Sequence, residues 1–162
     1  MRWIWIDRIT DFKSGQYAEA IKNVSLAEEH LRDHFPGYPI MPASLVIEGM
    51  AQTAGILVGE ARQFRENVIL AKIRDAVFTD HARPGDCIRY HAAIESIDEH
   101  AAATTGEVFI NDRSIGHVNL MFSHVSERNA VGLPAHNFVF TDQFMSLFDA
   151  IKNAAGVGSN SP

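Results

Sequence analysis

Residues 34–59 read HFPGYPIMPASLVIEGMAQTAGILVG, a proline-punctuated segment followed by a long apolar run. Pro36, Pro39 and Pro42 each fix their own φ and push the preceding residue toward extended geometry, so 34–41 reads as a stiff, irregular loop around Gly37. Pro42 suits the first turn of a helix. The apolar positions that follow run too long for a strand and contain no further proline, which predicts one buried helix over 43–64. The least charged part of it, 45–59, is shorter than the roughly 20 apolar residues a membrane span needs, and Glu48 and Gln52 interrupt it. It is expected to be core.

Upstream, 2–12 and 16–24 alternate as two strands of a hairpin with Lys13-Ser14-Gly15 as the turn. Ser25-Leu26-Ala27-Glu28 has the spacing of a capping box, which predicts a short helix over 26–33. Downstream, four extended runs at 68–78, 86–97, 101–110 and 114–125 are separated by Pro84-Gly85-Asp86, Asp98-Glu99-His100 and Asn111-Asp112-Arg113, all turn formers. Two strands, one long helix and four antiparallel strands predict an α+β fold, a curved sheet wrapped around the helix. Thr141 can cap a last amphipathic helix with Phe144, Leu147, Phe148 and Ile151 at i, i+3, i+4 and i+7. The expected organisation is one domain over 1–126, an extension with this helix over 127–155, and a flexible glycine- and serine-containing tail over 156–162.

Composition narrows the function. The 162 residues hold 14 lysines and arginines against 20 acids, a net charge of −6, the wrong sign for coating nucleic acid or an anionic membrane. One cysteine, Cys87, excludes an intrachain disulfide framework, and no charged-then-apolar leader precedes Trp3, so a cytoplasmic location is expected. His30 and His34 share a helical zinc spacing, but no glutamate follows the first and the prolines end the helix at the second, so no metal is expected.

Chemistry concentrates around two residues. Glu48 is the sole formal charge between Phe35 and Gly59, and a carboxylate among Leu45, Val46, Ile47 and Met50 needs a reason: an acid–base role or a buried ion pair. Gln52 lies one turn on, close enough to orient it. His34 stands at the mouth of the rigid loop, where an imidazole can take and return a proton near neutrality. The first N–H groups of the helix, at Ala43 and Ser44, are free to stabilise an oxyanion.

His34-Phe35-Pro36-Gly37-Tyr38-Pro39-Ile40-Met41-Pro42, followed by Glu48 and Met50-Ala51-Gln52, resembles the active-site signature of the 3-hydroxyacyl-(acyl-carrier-protein) dehydratases, enzymes of the hot-dog fold. The similarity extends through Ile6-Asp7-Arg8, 20–25, Ala71-Lys72-Ile73 and Pro84-Gly85-Asp86. It implies that His34 takes the C2 proton of a 3-hydroxyacyl thioester carried on acyl carrier protein, that Glu48 protonates the leaving C3 hydroxyl, and that no cofactor is used. It also implies a homodimer in which one chain supplies the histidine and the other the acid, with three dimers forming a hexamer in some relatives. Pro36, Gly37, Pro39 and Pro42 would shape the loop. Glu48, in place of the aspartate of the dehydratase/isomerase branch, implies simple dehydration.

Two departures stand out: Ala43 replaces the family's glycine and Gly49 its alanine. Other hot-dog thioester chemistry, by a thioesterase or a coenzyme A-linked hydratase, is the enzymatic alternative; a non-catalytic carrier-binding subunit is the third. An acidic carrier needs a basic patch, for which Arg62, Arg65, Lys72, Arg74, Arg83 and Arg89 are candidates. The C-terminal phenylalanine stripe is expected to pack an extra helix on the core, with a lid over an acyl tunnel as the alternative.

Overall fold

The computed structural model describes residues 4–125, 132, 134 and 136–154. Six antiparallel strands form one sheet: β1 (Arg8–Lys13), β2 (Tyr17–Asn23), β3 (Asn67–Phe78), β4 (Cys87–Ile97), β5 (Ala101–Ile110) and β6 (Arg113–Val125), in the order β1-β2-β4-β5-β6-β3. The described residues also form three helices: α1 (His30–Asp33), α2 (Ala43–Ala61) and α3 (Asp142–Ala154). This is the expected α+β arrangement.

Strand alternation sets the inner face. Ala18 and Ala20 of β2, Ile88, Tyr90 and Ala92 of β4, Val108 of β5, and Val118 and Leu120 of β6 are all buried toward α2. Met50, Ala54, Leu57 and Val58 of α2 meet them with essentially no exposure. Each large side chain so enclosed contributes about 1.5–3 kcal/mol relative to leaving it in water. Helix and sheet come close because Gly106 has no Cβ; one there would lie 2.5 Å from Met50 Sδ.

Three boundaries differ from the sequence expectation. The first strand starts at Arg8, not residue 2, since residues 4–6 lie outside the strand ladder although Trp5 and Ile6 are buried. The capping box forms, with Ser25 N–H donating to Glu28 Oε2 at 3.1 Å and Ala27 N–H to Ser25 Oγ at 3.2 Å, but it closes a turn, and the helix proper spans only His30–Asp33. The central helix ends at Ala61 rather than Phe64, because Gln63 and Phe64 take φ of 57° and 52° and the Phe64 N–H turns back to the Gly59 carbonyl. The expected tail, 156–162, lies outside the described residues.

The C-terminal extension is tied on by two asparagines. Asn67, 5% exposed, accepts the N–H groups of Phe138 and Val139 at 2.9 and 3.0 Å. Asn137 accepts those of Val139 and Phe140 and donates to the Phe64 carbonyl at 3.1 Å. Thr141 caps α3 as expected, accepting the Phe144 N–H at 3.2 Å.

Candidate active site

The proline loop is a closed frame. Phe35 and Tyr38 exchange backbone hydrogen bonds of 3.1 and 2.9 Å around Pro36 and Gly37, whose φ of 82° is the left-handed value required after proline in a type II turn. The Ile40 N–H donates to the His34 carbonyl at 2.9 Å, and His34 Nδ1 lies 2.9 Å from the Ile40 carbonyl. A carbonyl can only accept, so Nδ1 carries a proton, and in the neutral ring Nε2 keeps the lone pair that a base needs. The Met41 N–H then donates to the Ala82 carbonyl at 2.8 Å, and Tyr38 is held by Arg83, whose Nη2 lies 2.6 Å from the hydroxyl. Arg83 comes from the connection after β3, and sequence reasoning did not foresee it as an anchor of this loop.

Pro42 occupies the cap position of α2, one residue before its expected place in the first turn, and no side chain among the described residues caps the helix. Ala43 and Ser44 are exposed, and their N–H groups open the helix. Ala43 is the first helical residue and has no positive φ, so alanine is unstrained at the position where the resemblance implies glycine. Glycine at position 49 also has a cause: a Cβ there would stand 2.3 Å from the hydroxyl of Tyr90, which is completely buried.

Glu48 is half-buried in the second turn of α2. Gln52 Nε2 donates to its Oε1 at 2.9 Å, as the i, i+4 spacing predicts. The other end of the amide is fixed as well, since Gln52 Oε1 accepts the Trp5 backbone N–H at 2.8 Å. Sequence reasoning missed Trp5, whose contribution is made by the backbone and so leaves no mark in residue type.

Among the described residues, Glu48 and Gln52 are the only polar side chains lining a cavity of about 350 Å³. Its other walls are Ile4 and Ile6, Ala51, Gly55 and Ile56 of α2, Val68 and Leu70 of β3, Phe122 of β6, and four residues of the C-terminal segment, Val139, Phe140, Phe144 and Phe148. An acid at one point of an otherwise apolar slot suits a substrate with one polar reacting centre and a greasy chain. His34 is not among the residues that line this cavity.

Phe144 and Phe148 pack with the core, as expected of the stripe, and also line the cavity. The side chains of Leu147 and Ile151 lie outside the described residues. Four of the six candidate carrier-binding cations are taken up by carboxylates: Arg62 by Glu66, Arg74 by Glu95, Arg83 by Asp80, and Arg89 by Glu19 and Asp112. His30 packs edge-on against Trp5 at 5.2 Å, and burial lowers its pKa. Among the described residues no three histidines, cysteines or acids cluster as a metal site, and no helix is long and apolar enough to cross a membrane.

Residues 3–119 match the family model described as a FabA-like domain. The chain is 34% identical over 122 residues to the 3-hydroxyacyl-[acyl-carrier-protein] dehydratase FabZ of Fusobacterium nucleatum, covering 74% of this chain and 85% of that one. It is 36% identical over 115 residues to the protein of the same name from Legionella pneumophila, covering 68% and 77%. Among solved structures, the dehydratase heterocomplex ApeI:P from Xenorhabdus doucetiae superposes with a TM-score of 0.65 at 16% identity, over 80% of this chain and 88% of that one. At that identity the likeness establishes the hot-dog fold alone.

Proposed function

The chain belongs to the FabA-like family, and on that footing we propose that it removes water from 3-hydroxyacyl chains carried as thioesters on acyl carrier protein, yielding trans-2-enoyl thioesters for fatty acid biosynthesis. The observation that carries this reading is Glu48, oriented by Gln52 and opening onto an apolar slot.

The residues divide the work as follows. His34 Nε2 takes the C2 proton, and the C2–H electron pair becomes the C2–C3 double bond. The C3–O bond breaks as the protonated Glu48 carboxyl, directly or through one water, delivers a proton that makes the leaving group water. Hydroxide leaves poorly and a C2 proton is weakly acidic, so neither group suffices alone. The open N–H groups of Ala43 and Ser44 face charge that develops on the thioester oxygen, and the helix N-terminus adds to their pull.

The histidine and the acid come from two protomers in this reading. β3 is an edge strand of 12 residues with Leu70, Ile73 and Val77 exposed, an unpaired apolar edge of the kind that recruits a second strand. Two copies of β3 related by a two-fold axis pair antiparallel, which sets the beginning of one strand beside the end of the other. Val68 and Leu70, near the beginning, line the Glu48 cavity; the segment leaving the end holds the His34 loop through Ala82 and Met41. Pairing thus carries one protomer's His34 loop toward its partner's Glu48.

The test is hydration of crotonyl thioesters on carrier protein and on coenzyme A. His34→Ala and Glu48→Ala are each expected to lose nearly all activity while staying folded. Hydrolysis of the thioester without double-bond chemistry would overturn the assignment.

A further inference from the structure

We propose that the C-terminal segment, 137–148, is the gauge of acyl-chain length: Phe140, Phe144 and Phe148 close the far end of the slot that begins at Glu48. The inference rests on the dehydratase reading and adds to it a part of the chain that the family match, ending at residue 119, does not contain.

Direction along the slot follows from α2. The helix contributes Glu48, Ala51, Gln52, Gly55 and Ile56 to the wall, so the slot runs along its axis over eight residue steps, about 12 Å at 1.5 Å per step. Beyond Ile56, the Phe140 ring lies over Gly59, where a Cβ would come within 2.5 Å of it. Phe140 in turn packs on Phe64 at 4.9 Å and on Phe144 at 5.3 Å, and Phe64 on Phe148 at 5.5 Å between ring centroids. The aromatic cluster therefore sits at the C-terminal end of α2, opposite the acid.

The closure is built in. Gly59 leaves the seat for Phe140, and Asn67 and Asn137 hold the backbone that carries it. A slot of about 12 Å takes roughly ten bonds of an extended chain at about 1.2 Å each, the advance per bond of an extended backbone. The segment thus selects medium-length chains and turns away longer ones.

Two variants move the ceiling in opposite directions. Phe148→Ala, with Phe144→Ala as the less buried alternative, opens the far end. Gly55→Leu fills the slot midway, where a Cβ meets only Phe122 at 3.6 Å and is accommodated. Hydration rates would be compared for crotonyl, octenoyl, dodecenoyl and hexadecenoyl thioesters. The ratio of hexadecenoyl to crotonyl rate is expected to rise about tenfold or more in Phe148→Ala, and that of dodecenoyl to crotonyl to fall as much in Gly55→Leu.

A second readout needs no turnover: the saturated acyl thioester giving the largest thermal shift should lengthen in the first variant and shorten in the second. Unchanged length profiles alongside robust crotonyl hydration would overturn the gauge. Shifted thermal profiles without any hydration would support it and instead overturn the dehydratase reading.

Discussion

Gln52 joins Glu48 to the chain's amino-terminal segment: its amide nitrogen is 2.9 Å from the Glu48 carboxylate and its amide oxygen 2.8 Å from the Trp5 nitrogen. An amide held at both ends has one orientation, and so has the carboxyl it touches. Gln52→Leu removes both bonds, whereas Gln52→Glu keeps an acceptor for Trp5 and sets a carboxylate against Glu48. Both are expected to lower kcat about 100-fold with KM little changed, the scale of a misplaced catalytic group. Wild-type kcat in Gln52→Glu would show that the contact with Glu48 has no part in positioning it.

The free edge of β3 yields a prediction about assembly. Ile73→Lys puts a charge on the exposed apolar row of Leu70, Ile73 and Val77, and charge on an edge strand opposes pairing. Sedimentation should show a folded monomer, with crotonyl hydration lost because each site lacks its imidazole. A monomer that hydrates at the wild-type rate would remove the partner from the mechanism.

Much of this arrangement was legible in the sequence, for physical reasons. Three prolines and an unbroken apolar run leave the loop and α2 few alternatives, and Asn111 and Asp112, with φ of 48° and 66°, tolerate the left-handed turn their types suggest. The errors came where burial and backbone pairing part company. Residues 4–6 alternate like a strand because they pack on the core, yet the Trp5 N–H goes to a side chain. The end of α2 was missed because Gln63 and Phe64, not glycine, take the positive φ, an exchange that lets Phe64 meet Phe140 and Phe148. The stripe in α3 marked an amphipathic helix, but only tertiary packing reveals that its apolar face completes a cavity. Asn67 passed as an ordinary strand start, its role being to satisfy backbone donors 71 and 72 positions away.

Gly49 and Tyr90 form a matched pair. Gly49→Ala drives a methyl group into the Tyr90 ring and hydroxyl and should destabilise by about 1–3 kcal/mol, the range for overpacking, even though alanine is the better helix former. The Tyr90 hydroxyl has no partner among the described residues, so Tyr90→Phe should be neutral or stabilising. Urea unfolding of both variants checks this; a more stable Gly49→Ala would contradict the packing.

Asp80 supports the strap that anchors the His34 loop. A hydrogen bond from Arg113, then one from the His81 N–H and one from Arg83, lower its carboxyl from the ordinary 3.8 to about 2. The folded state thus binds the proton less readily than the unfolded one, so this stabilisation is complete above 3.8 and is lost as pH falls through about 2. The urea midpoint of Asp80→Asn should lie below that of the wild type near neutrality, with the gap closing across that window and shrinking in added salt. A gap constant with pH would exclude ionisation of Asp80 as its cause.

The shared site itself is tested most directly by mixing His34→Ala with Glu48→Ala protein, each inactive alone, under conditions that allow subunits to exchange. A heterodimer regenerates one intact pair, so equal mixing should restore about one quarter of wild-type crotonyl hydration if half of the two-fold dimers are mixed. No recovery after verified exchange would contradict a site built from two protomers.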